Sequence, residues 1–174
     1  TVNSVDVIGA TTGTLTGADF SKSDNVACIV TPNDGRDDGA AVTSNVVTID
    51  NTAPSITSVS ISPSSGVDTS TTLTCSAEAS DDDGDDPTIT YAWTNDTEGT
   101  TLGTGSTLTL TSSTSSADDT ITCTATATDA DGGTDTGTDS VSVDNSDPEV
   151  TSVTISPDSG VDTATGLTCS ATAT

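Results

Sequence analysis

Apolar residues alternate with Thr and Ser along most of the chain, so that every second side chain faces the same way. That period of two marks strands with one buried face. In the central region the alternation predicts a first strand over 58–62, with Val59 and Ile61 inward, and a second over 72–79, with Leu73, Cys75, Ala77 and Ala79 inward. A third, over 88–94, puts Ile89, Tyr91 and Trp93 on one face. Weaker strands are read near 101 and over 107–111 (Leu108, Leu110), a sixth over 120–128 (Ile121, Cys123, Ala125, Ala127) and a last over 138–144 (Val141, Val143). Pro63, Gly66, Gly84, Gly103, Gly105, Gly132 and Gly133 fall between these runs, where turns need them. About seven short strands, with no helical period to carry a parallel crossover, predict an all-β fold, an antiparallel β-sandwich.

The pattern also recurs. The stretch 51–80, NTAPSITSVSISPSSGVDTSTTLTCSAEAS, returns 94 positions later as NSDPEVTSVTISPDSGVDTATGLTCSATAT, identical at 20 of 30 positions. A period of 94 residues suits one small domain and exceeds the roughly 20 to 50 residues of a solenoid turn or propeller blade. The register divides the chain into the rear part of one domain (1–50), a complete domain (51–144) and the first two strands of a third (145–174). In the first part Val26, Cys28 and Val30 stand where Ile121, Cys123 and Ala125 stand, and Val47 and Ile49 where Val141 and Val143 stand. Only the middle part is expected to close a core from its own residues. The chain begins inside a repeat without an initiator Met, and reads as a piece of a longer mature protein.

Cys75 on the second strand and Cys123 on the sixth, with Trp93 on the strand between, form the Cys, Trp, Cys arrangement of an immunoglobulin-like sandwich. A bridge between the two sheets, covered by the one tryptophan, suits a core in which aromatics are only 2% of the residues. Two buried free thiols are the alternative. Cys28 and Cys169 occupy the same two positions in the flanking repeats, with partners expected in an adjoining repeat or in a neighbouring copy. Three segments, CSAEASDDDGDDPTITYAW, GSTLTL and ITCTATATDADGGTDTGTDSVSV, resemble the PKD-like and immunoglobulin-like tandem repeats of large bacterial and archaeal surface proteins. The resemblance spans 53–144 and the matching parts of both flanks. It implies tandem immunoglobulin-like sandwich domains strung along a cell surface. Ile121 stands where antibody-type domains carry a tyrosine, which sets the chain apart from those.

Charge narrows the partners. Two Lys or Arg (Lys22 and Arg36) face 27 Asp or Glu, a net charge of −25. Such a polyanion repels nucleic acid and anionic membrane surfaces and attracts cations. No apolar run reaches the roughly 18 residues of a membrane span. Scarce Lys, abundant Thr and Ser, and Cys at repeat-equivalent places predict an extracellular, oxidising setting.

Asp81, Asp82, Asp83, Asp85 and Asp86 lie between the second and third strands, and Asp129 and Asp131 between the sixth and seventh. In a sandwich these loops share one pole with the incoming Asp50 and Asn51. Carboxylate and amide oxygens gathered there predict a calcium site at Asp50, Asn51, Asp81, Asp83, Asp85, Asp129 and Asp131, clamping successive domains. The competing reading is a set of solvated turns adapted to salt. Asp34, Asp37 and Asp38 are the equivalents one repeat earlier. Asn95, in N-D-T, is an N-glycosylation sequon placed in a loop after the Trp strand.

The chain has no His, which removes the usual catalytic triads and histidine metal sites, and no enzyme is expected. The function predicted is a structural component of an extracellular filament, stalk or adhesin whose partners are adjacent repeats or copies of itself. The alternatives are a pilus-type subunit assembled by strand complementation and a calcium-dependent module binding surface glycans.

Overall fold

The computed structural model describes residues 1–8, 10, 13–145 and 147–173. Ser146 and Thr174, which belong to the repeated segment, lie outside the described residues. The described residues form strands and turns and no helix. In chain order the strands are β1 (Asn25–Val26), β2 (Ile29–Val30), β3 (Val42–Thr43), β4 (Val47–Thr48), β5 (Ser55–Ser62), β6 (Thr72–Ser80), β7 (Thr88–Asn95), β8 (Thr100–Thr104), β9 (Thr107–Thr109), β10 (Thr120–Thr128), β11 (Thr134–Ser142), β12 (Val150–Ser156) and β13 (Thr168–Ala173).

Seven of them, β5 to β11, build one two-layered unit. One layer is the antiparallel sheet β5-β6-β9 and the other is β11-β10-β7-β8. β10 shows why the alternation is legible: Ile121, Cys123, Ala125 and Ala127 are all buried, while the Thr residues between them face outward and half-exposed. β-branched Thr suits that outer pleated face. The core draws Ile61, Leu73 and Cys75 from one sheet and Trp93, Ile121, Cys123 and Val141 from the other, with Val67, Leu110 and Val143 beside them. Cys75 and Cys123 are joined as a disulfide across the two sheets, their Cα atoms 6.4 Å apart. Trp93 lies directly opposite Cys123 in the β7–β10 ladder, and its indole N–H donates to the Gly105 carbonyl at 2.9 Å.

The structure corrects the expected elements in three places. The first strand begins at Ser55 rather than 58, and the last spans Thr134–Ser142 rather than 138–144. Ala77, Ala79, Ile89 and Tyr91, expected inward, are only half-buried. The early start of β11 has a specific cause. Its inward positions there are Asp135, Gly137 and Asp139, so the apolar alternation is missing although the strand pairs with β10 as far as Thr134 opposite Thr128.

Those three residues close a seam between the layers. Asp135 accepts the backbone N–H of Ile56, and Asp139 that of Ile61, both at 2.8 Å. Donors along the outer edge of β5 that would otherwise invite another strand are thereby satisfied. Gly137 sits between the two carboxylates where a Cβ would lie 2.7 Å from Ile56 Cγ2 and 2.8 Å from Val59 Cγ2. Only a residue without a side chain lets β5 come this close.

The flanks behave differently. β12 and β13 pair with Ile155 opposite Cys169 and a register shift between Val150 and Ser152. β5 and β6 pair with Ile61 opposite Cys75 and a shift between Ile56 and Ser58, the same ladder 94 positions earlier. In residues 1–50 the sheets are only two residues deep on each strand, β1 with β4 and β2 with β3. Val26 pairs with Val47 as Ile121 pairs with Val141. Val30, expected inward, is exposed, since no second sheet covers it.

Candidate functional site

The pole of the central unit nearest residues 1–50 is formed by the turn after β6, the hairpin between β10 and β11, and the segment running into β5. Within the hairpin, Asp129 Oδ1 accepts the N–H groups of Gly133 at 2.7 Å and Asp131 at 2.9 Å, which folds the turn around its carboxylate. Asp129 Oδ2 accepts from the Asn51 amide at 2.8 Å and so ties the hairpin to the incoming chain. Gly133 is packed so closely that a Cβ there would lie 2.5 Å from Asp129 Oδ2 and 3.0 Å from the Ala53 Cα. In the other turn Asp81 Oδ1 accepts the N–H of Asp83 at 2.8 Å, and Asp83 Oδ2 accepts the N–H of Thr52 at 2.6 Å. Asp81 Oδ2 is buried and has no hydrogen-bond partner.

The cation at this pole comes from the chain itself. Lys22 reaches across from the first fifty residues and donates to Asp85, to Asp131 at 2.5 Å and to the Asn51 side-chain carbonyl at 3.3 Å. Its side chain is 24% exposed, so the pairs are partly screened by water. Hydrogen bonds to Asp131 and Asp85 hold the Lys22 ammonium well above its ordinary pKa. The Asn51 amide, with the N–H groups of the turn behind it, holds the Asp129 carboxyl below the usual aspartate value against the opposing effect of desolvation.

Asn51, Asp81, Asp83, Asp85, Asp129 and Asp131 are thus brought to one pole, as their spacing predicts. Asp50 is exposed and makes none of these contacts; Asp82 and Asp86 point outward. The oxygen chemistry is of the kind that suits calcium. Among the described residues no three His, Cys, Asp or Glu side chains converge as a metal group. The oxygens instead hold Lys22, Asn51 and turn N–H groups.

The two shifted groups set a pH window. A raised lysine pKa contributes fully below the ordinary value of 10.5 and is lost as pH rises through the raised one. A lowered aspartate pKa contributes above 3.8 and is lost as pH falls through the lowered one. Protection of the Gly133 amide, its exchange rate relative to the intrinsic rate at the same pH, is therefore expected to stay flat through neutral pH and to fall in acid below 3.8. In Lys22→Gln, exchange should quicken in the segment joining 1–50 to β5 while melting of the central unit stays unchanged; melting that falls as much as the junction loosens would contradict this assignment.

The sequon asparagine is corrected. Asn95 is not in a loop but is the last residue of β7, 0% exposed. Its Nδ2, the atom a glycan would occupy, donates to Asp119 at 2.7 Å and to the Thr114 carbonyl at 3.3 Å. Asp119, 3% exposed, also accepts the N–H of Ser116 at 2.8 Å. The inward alternation of β7 simply continues one step beyond Trp93. Asn95→Ala should cost about 1–3 kcal/mol in urea unfolding, because it leaves a buried carboxylate short of a donor.

No family model, curated protein or solved structure matches this chain.

Proposed function

We propose that the chain is part of an extracellular filament, stalk or adhesin built from tandem immunoglobulin-like domains, in which stiffness and reach are the function. The observation that carries this reading is the return of the β5–β6 ladder, bulge included, in β12–β13 at 94 positions. Polarity supports it. Residues 1–50 meet the central unit at the Asp85 and Asp131 pole, whereas the chain leaves beside Val67 and Asp119, where Asp144 N donates to Val67 O and Val143 N to Asp119 O. Between the two ends runs β11, nine residues long, or roughly 30 Å at about 3.3 Å each. A unit that receives chain at one end and releases it at the other is suited to stringing. The crosslinked core and the −25 charge suit an oxidising, saline medium.

Calcium enters this proposal only as a competitor for the pole held by Lys22. Small-angle scattering tests the reading. A compact globule of 174 residues has a radius of gyration of about 16 Å, and an elongated array should lie well above it. A value near the globular one would overturn the proposal. Calcium-dependent stiffening should appear as a change in those dimensions on adding EDTA.

A further inference from the structure

β5 and β11 are the first and last strands of the central unit and belong to different sheets. They run parallel, since Ile56 meets Asp135 near the start of both strands and Ile61 meets Asp139 further along. Among the described residues no backbone ladder joins them. Two carboxylates stand in for one, each taking a β5 N–H in a charge-assisted bond, a kind roughly twice as strong as a neutral one. The alignment has a local cause. Along a regular strand successive N–H groups point to opposite edges, so Ile56 and Ile61, an odd number of positions apart, would donate in opposite directions. The bulge between Ile56 and Ser58 adds one residue and turns both N–H groups to the same edge. Asp135 and Asp139 are an even number apart and share one face of β11, with the small Gly137 between them letting β5 approach.

We infer that this seam is the force-bearing contact of the unit: tension entering at Ser55 and leaving at Ser142 loads the two carboxylate bonds together, in shear. The inference rests on the tandem reading above, because a unit strung between neighbours is pulled from both ends. Its direction follows from the topology. The chain enters at the Asp85 and Asp131 pole, beside the start of β5, and leaves at the opposite pole, beyond the end of β11. Pulling the ends apart slides two parallel strands in opposite directions, and bonds lying across that slide must break together rather than in turn. The Cys75–Cys123 bridge sets the rest of the load path. Tension passes from β6 to β10 through the sulfurs, so β7, β8 and β9 lie outside the path while the bridge is closed. When the seam yields, only the chain outside the bridge is released.

The test is the 174-residue chain held by its two ends in optical tweezers, with unfolding lifetimes read at constant load. The step that belongs to the central unit is the one that lengthens on adding reductant. The gain should be about 160 Å, because a 48-residue separation rejoins the path at roughly 3.3–3.6 Å per residue. Asp135→Ala and Asp139→Ala should each raise the unfolding rate at fixed load by on the order of ten- to a hundredfold, the worth of one hydrogen bond to a charged group. Asp139→Asn keeps an acceptor oxygen and should fall between the parent and Asp139→Ala; it decides the matter if the Ala variant does not fold. Leu102→Ala is the control. Leu102 packs against the core from β8, at the far edge of the sheet and inside the bridged span, so its loss should lower the urea midpoint and leave the lifetime under load unchanged. Seam variants with the parent's lifetime, or a Leu102→Ala lifetime shortened as much as theirs, would overturn the proposal. An elongated scattering profile together with unaltered seam lifetimes would remove the seam and leave the filament reading standing, whereas a globular profile would remove that reading itself.

Discussion

Trp93→Ala lowers the stability of the central unit by about 3 to 5 kcal/mol, the range for removing a buried tryptophan from a packed core. The expected size follows from what surrounds the indole. Trp93 is 0% exposed, and the other fully buried apolar side chains among the described residues are a few Leu, Ile and Val residues, two Ala and the two bridged cysteines. The chain holds one Trp, one Tyr and one Phe, so no second aromatic can slide into the hole. Deleting the ring also orphans the Gly105 carbonyl, which accepts its N–H. Thermal unfolding followed by circular dichroism should shift downward by about 12 °C or more for a domain of this size. Trp93→Phe keeps part of the mass and loses the hydrogen bond, and should fall between the two. A Trp93→Ala protein melting within a few degrees of the parent would mean that the indole is not the centre of the core.

Removing the Cys75–Cys123 bridge costs about 4 kcal/mol by loop closure across its 48-residue separation. The crosslink limits the unfolded chain, and without it the entropy of that loop returns. The double variant Cys75→Ala/Cys123→Ala, measured by urea unfolding, reads this contribution without leaving a lone thiol. Cys123 faces Trp93 across the ladder, so the two predicted losses should not add. A double-mutant cycle is expected to show coupling of about 0.5–3 kcal/mol. Strict additivity would place the bridge and the indole in independent parts of the core. Either change alone consumes much of the roughly 5–15 kcal/mol that holds a typical domain together.

The central strands were legible because their inward side chains are apolar and their outward ones are Thr or Ser. β10 was read to the residue, since it is buried along its whole inner face. The first half of β11 was not, because Asp135, Gly137 and Asp139 answer to the edge of β5 rather than to water or oil. That demand comes from backbone N–H groups far away in sequence, and no local pattern announces it. Asn95 failed for the related reason that an N-D-T tripeptide reads as surface, whereas Asp119 offers a buried acceptor. The acidic pole was legible as a place, from the two Asp-rich turns. Its occupant was not, since Lys22 lies 63 positions from Asp85 and 109 from Asp131.

The sequence by itself determined an all-β chain, a 94-residue period and the two cysteines that face each other in the central core, because alternation, repetition and residue type are local properties. Local pattern is the same for Ile61, Val67, Leu73 and Cys75 as for Ile155, Val161, Leu167 and Cys169, and only the repeat register, in which the middle part alone is complete, sets them apart. Tertiary structure gave that difference its physical form: the first four pack in one core with Trp93, Ile121 and Cys123, while among the described residues no second sheet lies against the second four. Burial belongs to the contact of two layers, and a hairpin carries only one.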